Sequence, residues 1–446
     1  MKSLLFTVSG LRGIVGETLT PDVIMKYTHA FSRVNGTGTY YIGMDTRPHG
    51  EMVKSSAVST LLASGNNVID VGIVPTPTLL FVVRDRGAKG GIVVTASHNP
   101  VEWNALKLVK EGGIFTFDED VKRIKNFLQE KFLWASWNRV GKFSEYTSAI
   151  DDHIDKILRS RFIDKNKIKK SNFRIAVDVV NGANYYALPH LLDRIGITDV
   201  TCLNCNPTGI FPHPPEPKKE NLKELDELLL KGEADIGFAT DPDGDRLLVG
   251  FREVGLLTEE HTIVLAAPQI LKYRKADIVV NLSTSMMIEE VAEKFGVRVL
   301  RSKVGEANVV QKMQEIGSVF GGEGNGGVIV PEINATRDSL VGTALILARV
   351  AEEGIDRIIE SLPRGFVLVK EKVGFRVEIP EDMLIKEFNP EYVDKSDGLY
   401  LRGKDYWIHV RPSNTEPIMR IYAEARNDDF VRRLVERTRR ILELVR

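Results

Sequence analysis

The sequence predicts an α/β protein: three similar α/β domains with mixed or parallel sheets, followed by a smaller C-terminal α+β domain. Three observations carry that expectation. At 446 residues the chain is too long for one ordinary hydrophobic core. Short runs rich in Val, Ile, Phe and Tyr stop abruptly at Gly, Asp, Ser or Asn, which is how buried parallel strands end in functional loops. Amphipathic stretches lie between those runs, so strands and helices alternate.

The strand-like runs fall into three pairs: 40–45 with 91–95, 173–178 with 234–238, and 277–281 with 319–322. Helical stretches at 52–64, 222–231 and 287–295 separate the members of each pair. Spacing near 100 residues fits domains and not a solenoid. The Lys/Arg-rich stretch 150–170 divides the first unit from the second, and the turn-prone segment 252–255 precedes the third. A last unit begins near Pro363-Arg364-Gly365, with strand-like runs at 406–410 and 420–423 and a charged helix from Asp428. The expected domains are therefore 1–150, 151–254, 255–363 and 364–446.

With 43% apolar and 27% charged residues the chain is of the globular class, and 60 Lys and Arg against 61 Asp and Glu leave a formal net charge of -1. Global charge gives no reason to expect nucleic acid or an anionic membrane as partner. Any basic site must be built locally. No apolar run approaches a bilayer-spanning length and no signal-peptide pattern opens the chain, so a cytoplasmic protein is expected. Oligomeric state is not legible. The two cysteines, Cys202 and Cys205, form one C-x-x-C, which is expected to be neither redox pair nor zinc site. No second pair accompanies it, and no helix-opening pattern follows.

Ligands of open parallel sheets collect beyond the carboxyl ends of the strands. After the first pair comes Thr95-Ala96-Ser97-His98-Asn99-Pro100. Ser97 beside His98 reads as an activated nucleophile, a phosphate carrier, or a turn residue bonding local backbone; a G-x-S-x-G elbow is missing. After the second pair comes Asp241-Pro242-Asp243-Gly244-Asp245-Arg246, three carboxylates at alternate positions on a turn, which suit a hard cation such as magnesium. An EF-hand is a poor fit, because Arg252 stands where its last glutamate belongs. The aspartates are expected on an exposed loop.

After the third pair comes Gly322-Glu323-Gly324-Asn325-Gly326-Gly327. Glu323 and Asn325 supply an acceptor and a donor suited to vicinal sugar hydroxyls, and a plain hairpin is the alternative. The last unit offers Arg411-Pro412-Ser413-Asn414-Thr415-Glu416-Pro417, where a guanidinium, two hydroxyls and an amide suit a phosphate monoester; a polar turn is the alternative.

These four segments, in this order, resemble the α-D-phosphohexomutase superfamily, and the likeness spans nearly the whole chain. Ser9-Gly10-Leu11-Arg12-Gly13, Asn104-Ala105-Leu106-Lys107 and Phe211-Pro212-His213-Pro214-Pro215-Glu216-Pro217 support it. The resemblance implies four domains around one cleft, with Ser97 as phosphoserine, Asp241, Asp243 and Asp245 as magnesium ligands together with the Ser97 phosphate, Glu323 and Asn325 as sugar readers, and Arg411, Ser413, Asn414 and Thr415 as phosphate clamp. It also implies interconversion of hexose 1-phosphates and 6-phosphates of glucosamine, mannose or glucose through a hexose 1,6-bisphosphate, which should act as activator. Phosphoryl transfer depends mainly on positioning and charge neutralisation, which Arg12, Arg246 and Lys107 can supplement. Lys107 or His98 is the expected proton shuttle, Lys107 on condition that neighbouring cations lower its pKa.

One position departs from the pattern. Many bacterial relatives end the sugar loop with histidine, where this chain has Gly327; the Gly-Glu-Gly-Asn-Gly-Gly form looks more like archaeal-type members. The rival readings are a phosphatase using Asp241 as nucleophile and Asp243 as acid, and a silent sugar-phosphate-binding protein.

Overall fold

The computed structural model describes residues 4–413 and 418–445. Four sheets form along the chain. In the first, Asn67–Ile73, Thr39–Met44 and Gly90–Val94 run parallel, and Trp103–Lys110 returns antiparallel. Gly10–Ile14 and Leu5–Thr7 extend that edge, while Phe143–Glu145 adds the other. The second sheet repeats the arrangement: Val200–Leu203, Ile175–Asp178 and Ile236–Thr240 are parallel, with Leu247–Phe251 antiparallel to the last. So does the third, with Val299–Ser302, Ile278–Asn281, Gly321–Glu323 and the antiparallel Gly327–Val330.

Each strand pair expected from the sequence is thus a parallel neighbour pair. The consequence for function is direct. In all three sheets the second member of the pair leads into a loop before an antiparallel return strand, with Ser97 and Asp241 in the first two loops and Glu323 at the strand end before the third. The turn at 252–255 is a hairpin inside the second sheet, because Gly255–Leu256 pairs back onto Leu247–Phe251.

The fourth sheet is antiparallel throughout, in the order Val367–Val373, Met419–Ala425, Tyr406–Pro412, Leu399–Arg402, Tyr392–Asp394. The helix Asp428–Leu444 packs on it, opened by Asn427, whose side chain accepts from the Phe430 N–H at 2.9 Å. Its apolar face, including Val431, Leu434, Val435 and Leu442, is buried.

The largest apolar core runs through the first three units, from Tyr41 to Ile358, whereas the fourth unit has its own core. A buried polar bridge adds to the first: Thr78 bonds His153 Nδ1 at 3.0 Å, and His153 Nε2 meets Asp338 at 2.9 Å. Asp338 in turn caps the helix Ser339–Glu353. Cys202 and Cys205, which the sequence argument sets aside as a redox pair, are joined by a disulfide at the end of Val200–Leu203. No helix among the described residues is long and apolar enough to cross a membrane.

Candidate active site

Ser97 stands directly beyond the strand Gly90–Val94 with φ 51°, a left-handed conformation that costs a non-glycine residue of order 1 kcal/mol or more. Its surroundings hold it there. The Ser97 N–H donates to Thr95 Oγ1 at 3.0 Å, and Thr95 donates to the buried Asp45 at 2.6 Å. Arg47, wholly enclosed, donates to the carbonyls of Ser97, Asn99 and Pro100, each at 2.7 Å, and pairs with Asp45 at 3.1 Å. The residue is over-determined from both sides of its backbone.

The Ser97 hydroxyl donates to Asp241 Oδ2 at 2.9 Å, and His98 Nδ1 lies 3.3 Å from the Ser97 hydroxyl oxygen. The first and second units therefore meet through the predicted nucleophile and the first predicted metal ligand. Burial, with the nearby Arg246 and Arg12, pushes His98 well below the usual imidazole range, so the ring is neutral. Arg12 is held by Asn99, whose side-chain oxygen accepts at 2.6 Å, and burial lowers its pKa.

Asp241, Asp243 and Asp245 each offer one oxygen within 4.8 Å of the others. All three are buried, at 1% exposure or less, which corrects the expectation of an exposed loop. The short turn packs between the first and third units: Thr76 donates to Asp243 at 2.6 Å, and the Leu247 N–H donates to Gly326 O at 3.0 Å. Burial together with Asp245 and Asp243 pushes Asp241 well above the usual carboxylate range. Against burial, Lys107 and hydrogen bonds hold Asp243 below it.

The donor set fits a hard cation. Asp243 Oδ1 and Asp245 Oδ1 are buried without a hydrogen-bond partner, a costly state for carboxylate oxygens unless an ion takes them up. Asp241 Oδ2 stands beside them on the serine hydroxyl. Oxygen donors from three carboxylates at one point are the chemistry that magnesium or a similar ion requires.

Lys107 lies in the same place, 2.5 Å from Asp243 and 3.5 Å from Asp245. Burial alone would lower its pKa, but the two aspartates outweigh it and the net shift is upward. The condition set for Lys107 as a base is not met. Its neighbours are carboxylates, which favour its charged form. Arg246 reaches Glu216 at 3.3 Å and lies 3.8 Å from Asp245.

Glu323 ends the strand Gly321–Glu323 and pairs across the hairpin with Gly327, so the segment is a hairpin, with Glu323 and Asn325 on the cleft. Its Oε1 accepts from Asn281 at 2.7 Å and from the Gly305 N–H at 3.0 Å. Asn325 donates to its Oε2 at 3.4 Å. Although burial opposes it, Arg337 and these donors hold Glu323 below the usual carboxylate range.

Arg411 closes the far side from Tyr406–Pro412, paired with Asp397 at 3.3 Å, and Ser413 follows, buried. Asn414 and Thr415 lie outside the described residues. One cleft of about 740 Å³ touches Ser97, Lys107, Arg246, Glu323, Asn325 and Arg411.

The structure adds residues that the sequence argument passed over. Arg420 and Tyr422 also line the cleft, and Arg420 stands directly opposite Arg411 in the strand register. Arg337 lines the cleft from the strand Asn334–Arg337. None of these carries a local signal, since they stand in strands among ordinary residues with no motif around them. Asp45 ends a predicted strand and could have been read as a loop-facing group; Arg47 follows it by two.

Four family models together cover the chain: phosphoglucomutase/phosphomannomutase alpha/beta/alpha domain I at residues 3–133, domain II at 151–254, domain III at 258–376, and the C-terminal domain at 375–441. A probable phosphoglucosamine mutase of Methanopyrus kandleri is 34% identical over 454 residues, covering 99% of each chain. The phosphoglucomutase/phosphomannomutase of Thermococcus kodakarensis is 34% identical over 452 residues, covering 98% of each. Among solved structures, a phosphoglucomutase/phosphomannomutase family protein of Burkholderia thailandensis superimposes with a TM-score of 0.83 at 25% identity, over 99% of this chain and 98% of that one.

Proposed function

The chain belongs to the phosphoglucomutase/phosphomannomutase family and is an intramolecular phosphotransferase, and we propose that it interconverts the 1- and 6-phosphates of glucosamine, mannose or glucose through a phosphate carried on Ser97. One observation carries this reading: the Ser97 hydroxyl bonds Asp241 Oδ2 at 2.9 Å inside a cleft that also holds Glu323 and Arg411.

Asp241, Asp243 and Asp245 are the residues that would hold magnesium. The ion would supply positive charge at the transferring phosphoryl oxygens. Lys107, Arg12 and Arg246 add fixed charge around the same point, which matters because phosphoryl transfer is catalysed mainly by charge neutralisation and alignment. In the forward half-reaction the bond from phosphorus to Ser97 Oγ breaks as a bond to the free sugar hydroxyl forms. The hydroxyl proton ends on Ser97 Oγ, relayed by His98, whose Nδ1 lies 3.3 Å from that oxygen, so the exchange leaves the net charge of the site unchanged. The hexose 1,6-bisphosphate then turns over, and the other phosphate returns to Ser97 by the reverse route.

Glu323 accepts sugar hydroxyls and Asn325 donates to them, while Arg411, Ser413, Asn414 and Thr415 grip the phosphate that is not transferred. Arg420, which also lines the cleft, adds positive charge at that end. The test is an assay of purified protein with glucosamine, N-acetylglucosamine, mannose and glucose 1-phosphates, magnesium and a catalytic amount of hexose 1,6-bisphosphate. Conversion to a 6-phosphate that lags without bisphosphate is expected. Release of inorganic phosphate in place of isomer overturns the reading in favour of a phosphatase.

A further inference from the structure

The guanidinium of Arg337 touches three carboxylates from three segments. Nη1 donates to Glu323 Oε2 at 2.7 Å, Nη2 to Asp245 Oδ2 at 2.5 Å, and Nε to Glu306 Oε2 at 3.1 Å. Glu306 is fixed in turn, accepting from the Arg337 N–H at 2.9 Å and from the Thr336 hydroxyl. The side chain is buried yet lines the cleft.

Space for it comes from Gly327. A Cβ on that residue would sit 2.2 Å from Arg337 Cδ and 2.7 Å from its Cγ. Gly327 has no positive φ, so its backbone makes no demand for glycine. The demand comes from Arg337, which lies across it.

We infer that Arg337 is a positioning residue that couples the sugar loop to the metal loop, and that Gly327 is glycine in order to admit it. A planar guanidinium presents its donors in a fixed fork, so one side chain sets two carboxylates against each other in a way an ammonium cannot. On the sugar side it occupies Glu323 Oε2, the oxygen not already fixed by Asn281 and Gly305. On the metal side it takes Asp245 Oδ2, which leaves the unpartnered Oδ1 for the other aspartates' side of the cluster. Movement of either loop therefore moves the other through one rigid group.

The inference rests on Glu323 as the sugar carboxylate, so the experiment separates the two. Glucosamine 6-phosphate, mannose 6-phosphate and glucose 6-phosphate are titrated by calorimetry, with magnesium present, into wild type, Arg337→Gln, Arg337→Lys and Gly327→Ala, and turnover is measured at saturating substrate. For Arg337→Gln, a sugar-phosphate Kd raised about tenfold or more and a kcat lowered about 100-fold or more are expected, with a cooperative melt retained. Arg337→Lys keeps the charge but not the fork, and its kcat should stay at least about tenfold below wild type. Gly327→Ala keeps every atom of Arg337 and displaces it, so it should show both losses in smaller measure; it carries the test if Arg337→Gln does not fold. Both constants within about threefold of wild type in a folded variant, or a loss confined to one of them, overturns the coupling. A wild-type protein that binds none of the three sugars overturns the mutase reading itself.

Discussion

The first three units and the fourth are built on opposite plans. One apolar core draws residues from all three, Tyr41 the first and Ile358 the last, and the polar bridge of Thr78, His153 and Asp338 ties them together. The fourth unit packs on itself, from Val373 to Leu442, and meets the rest through the small cluster of Leu282, Met286, Tyr400 and Trp407. Its other ties are polar: Glu424 accepts from the Met286 N–H at 2.7 Å and from the Ser285 hydroxyl, and Arg402 pairs with Glu289. Reacting atoms need fixed separations, and the fused body supplies them; under the proposed function the fourth unit grips either end of a sugar bisphosphate and needs to move. Small, polar contact areas between domains permit relative motion.

The largest expected effect lies in the body. Ser97→Ala should lower kcat by about three orders of magnitude or more, remove a phosphate from the intact mass of the isolated protein, and leave sugar-phosphate affinity near normal. More than about a tenth of wild-type activity in this variant would sink the nucleophile role. Asp243→Asn should abolish magnesium-dependent turnover, as should excess chelator. Because Asp243 is buried against Lys107, the variant should also melt lower than wild type, by the amount that leaving a buried lysine short of one partner costs, of order 3 kcal/mol. An unchanged melt would mean that the two like-charged neighbours were already opposing it.

Arg411→Ala tests the other plan. It should raise KM by about 30-fold or more while changing kcat by less than about tenfold, since it removes grip and not chemistry. Small-angle scattering with a sugar bisphosphate should report a more closed molecule, the fourth unit pivoting at 362–366, where Gly365 has φ 78°. Identical profiles with an unchanged KM would erase the contrast between body and clamp.

What the sequence made legible follows the same division. The strands that end in Ser97, Asp241 and Glu323 announce themselves, because a fully buried strand must be a continuous apolar run and must break where chemistry begins. Arg411 was visible for a similar reason, at the end of a strand before Pro412. Arg337 was not. It sits in the strand Asn334–Arg337 among ordinary polar residues, and its importance comes from Gly327, Glu306 and Asp245, which only the folded third and second units bring together. Lys107 shows the converse limit: its presence was legible, but whether burial or paired carboxylates governed its proton depended on distances of 2.5 and 3.5 Å to Asp243 and Asp245. Burial of the aspartates was misjudged because the packing of a turn between domains leaves no trace in the turn itself.

The smallest effect concerns the seam between the two plans. His409, fully buried on Tyr406–Pro412, has Nδ1 2.8 Å from the hydroxyl of Ser283 in the third unit and Nε2 2.6 Å from the carbonyl of Asp397 in its own. The ring is neutral there, with Nε2–H donating to Asp397 and Nδ1 accepting from Ser283. Burial is the main cause that pulls its pKa from 6.5 down to about 4, with Arg411 adding to it and Asp397 and Asp394 opposing. The unfolded chain therefore binds a proton between pH 6.5 and 4 that the folded chain does not. Stability from this group is fully present above the unfolded value and is lost as pH falls through that window. Melting temperature should drop by a few degrees more in wild type than in His409→Gln between pH 7 and 5, since glutamine has nothing to titrate. Hydrogen exchange should localise the loosening to residues 399–412 and 281–290, leaving the body's strands protected. Parallel pH curves for the two proteins, or loosening spread evenly through the first three units, would show that the seam is no weaker than the body it joins.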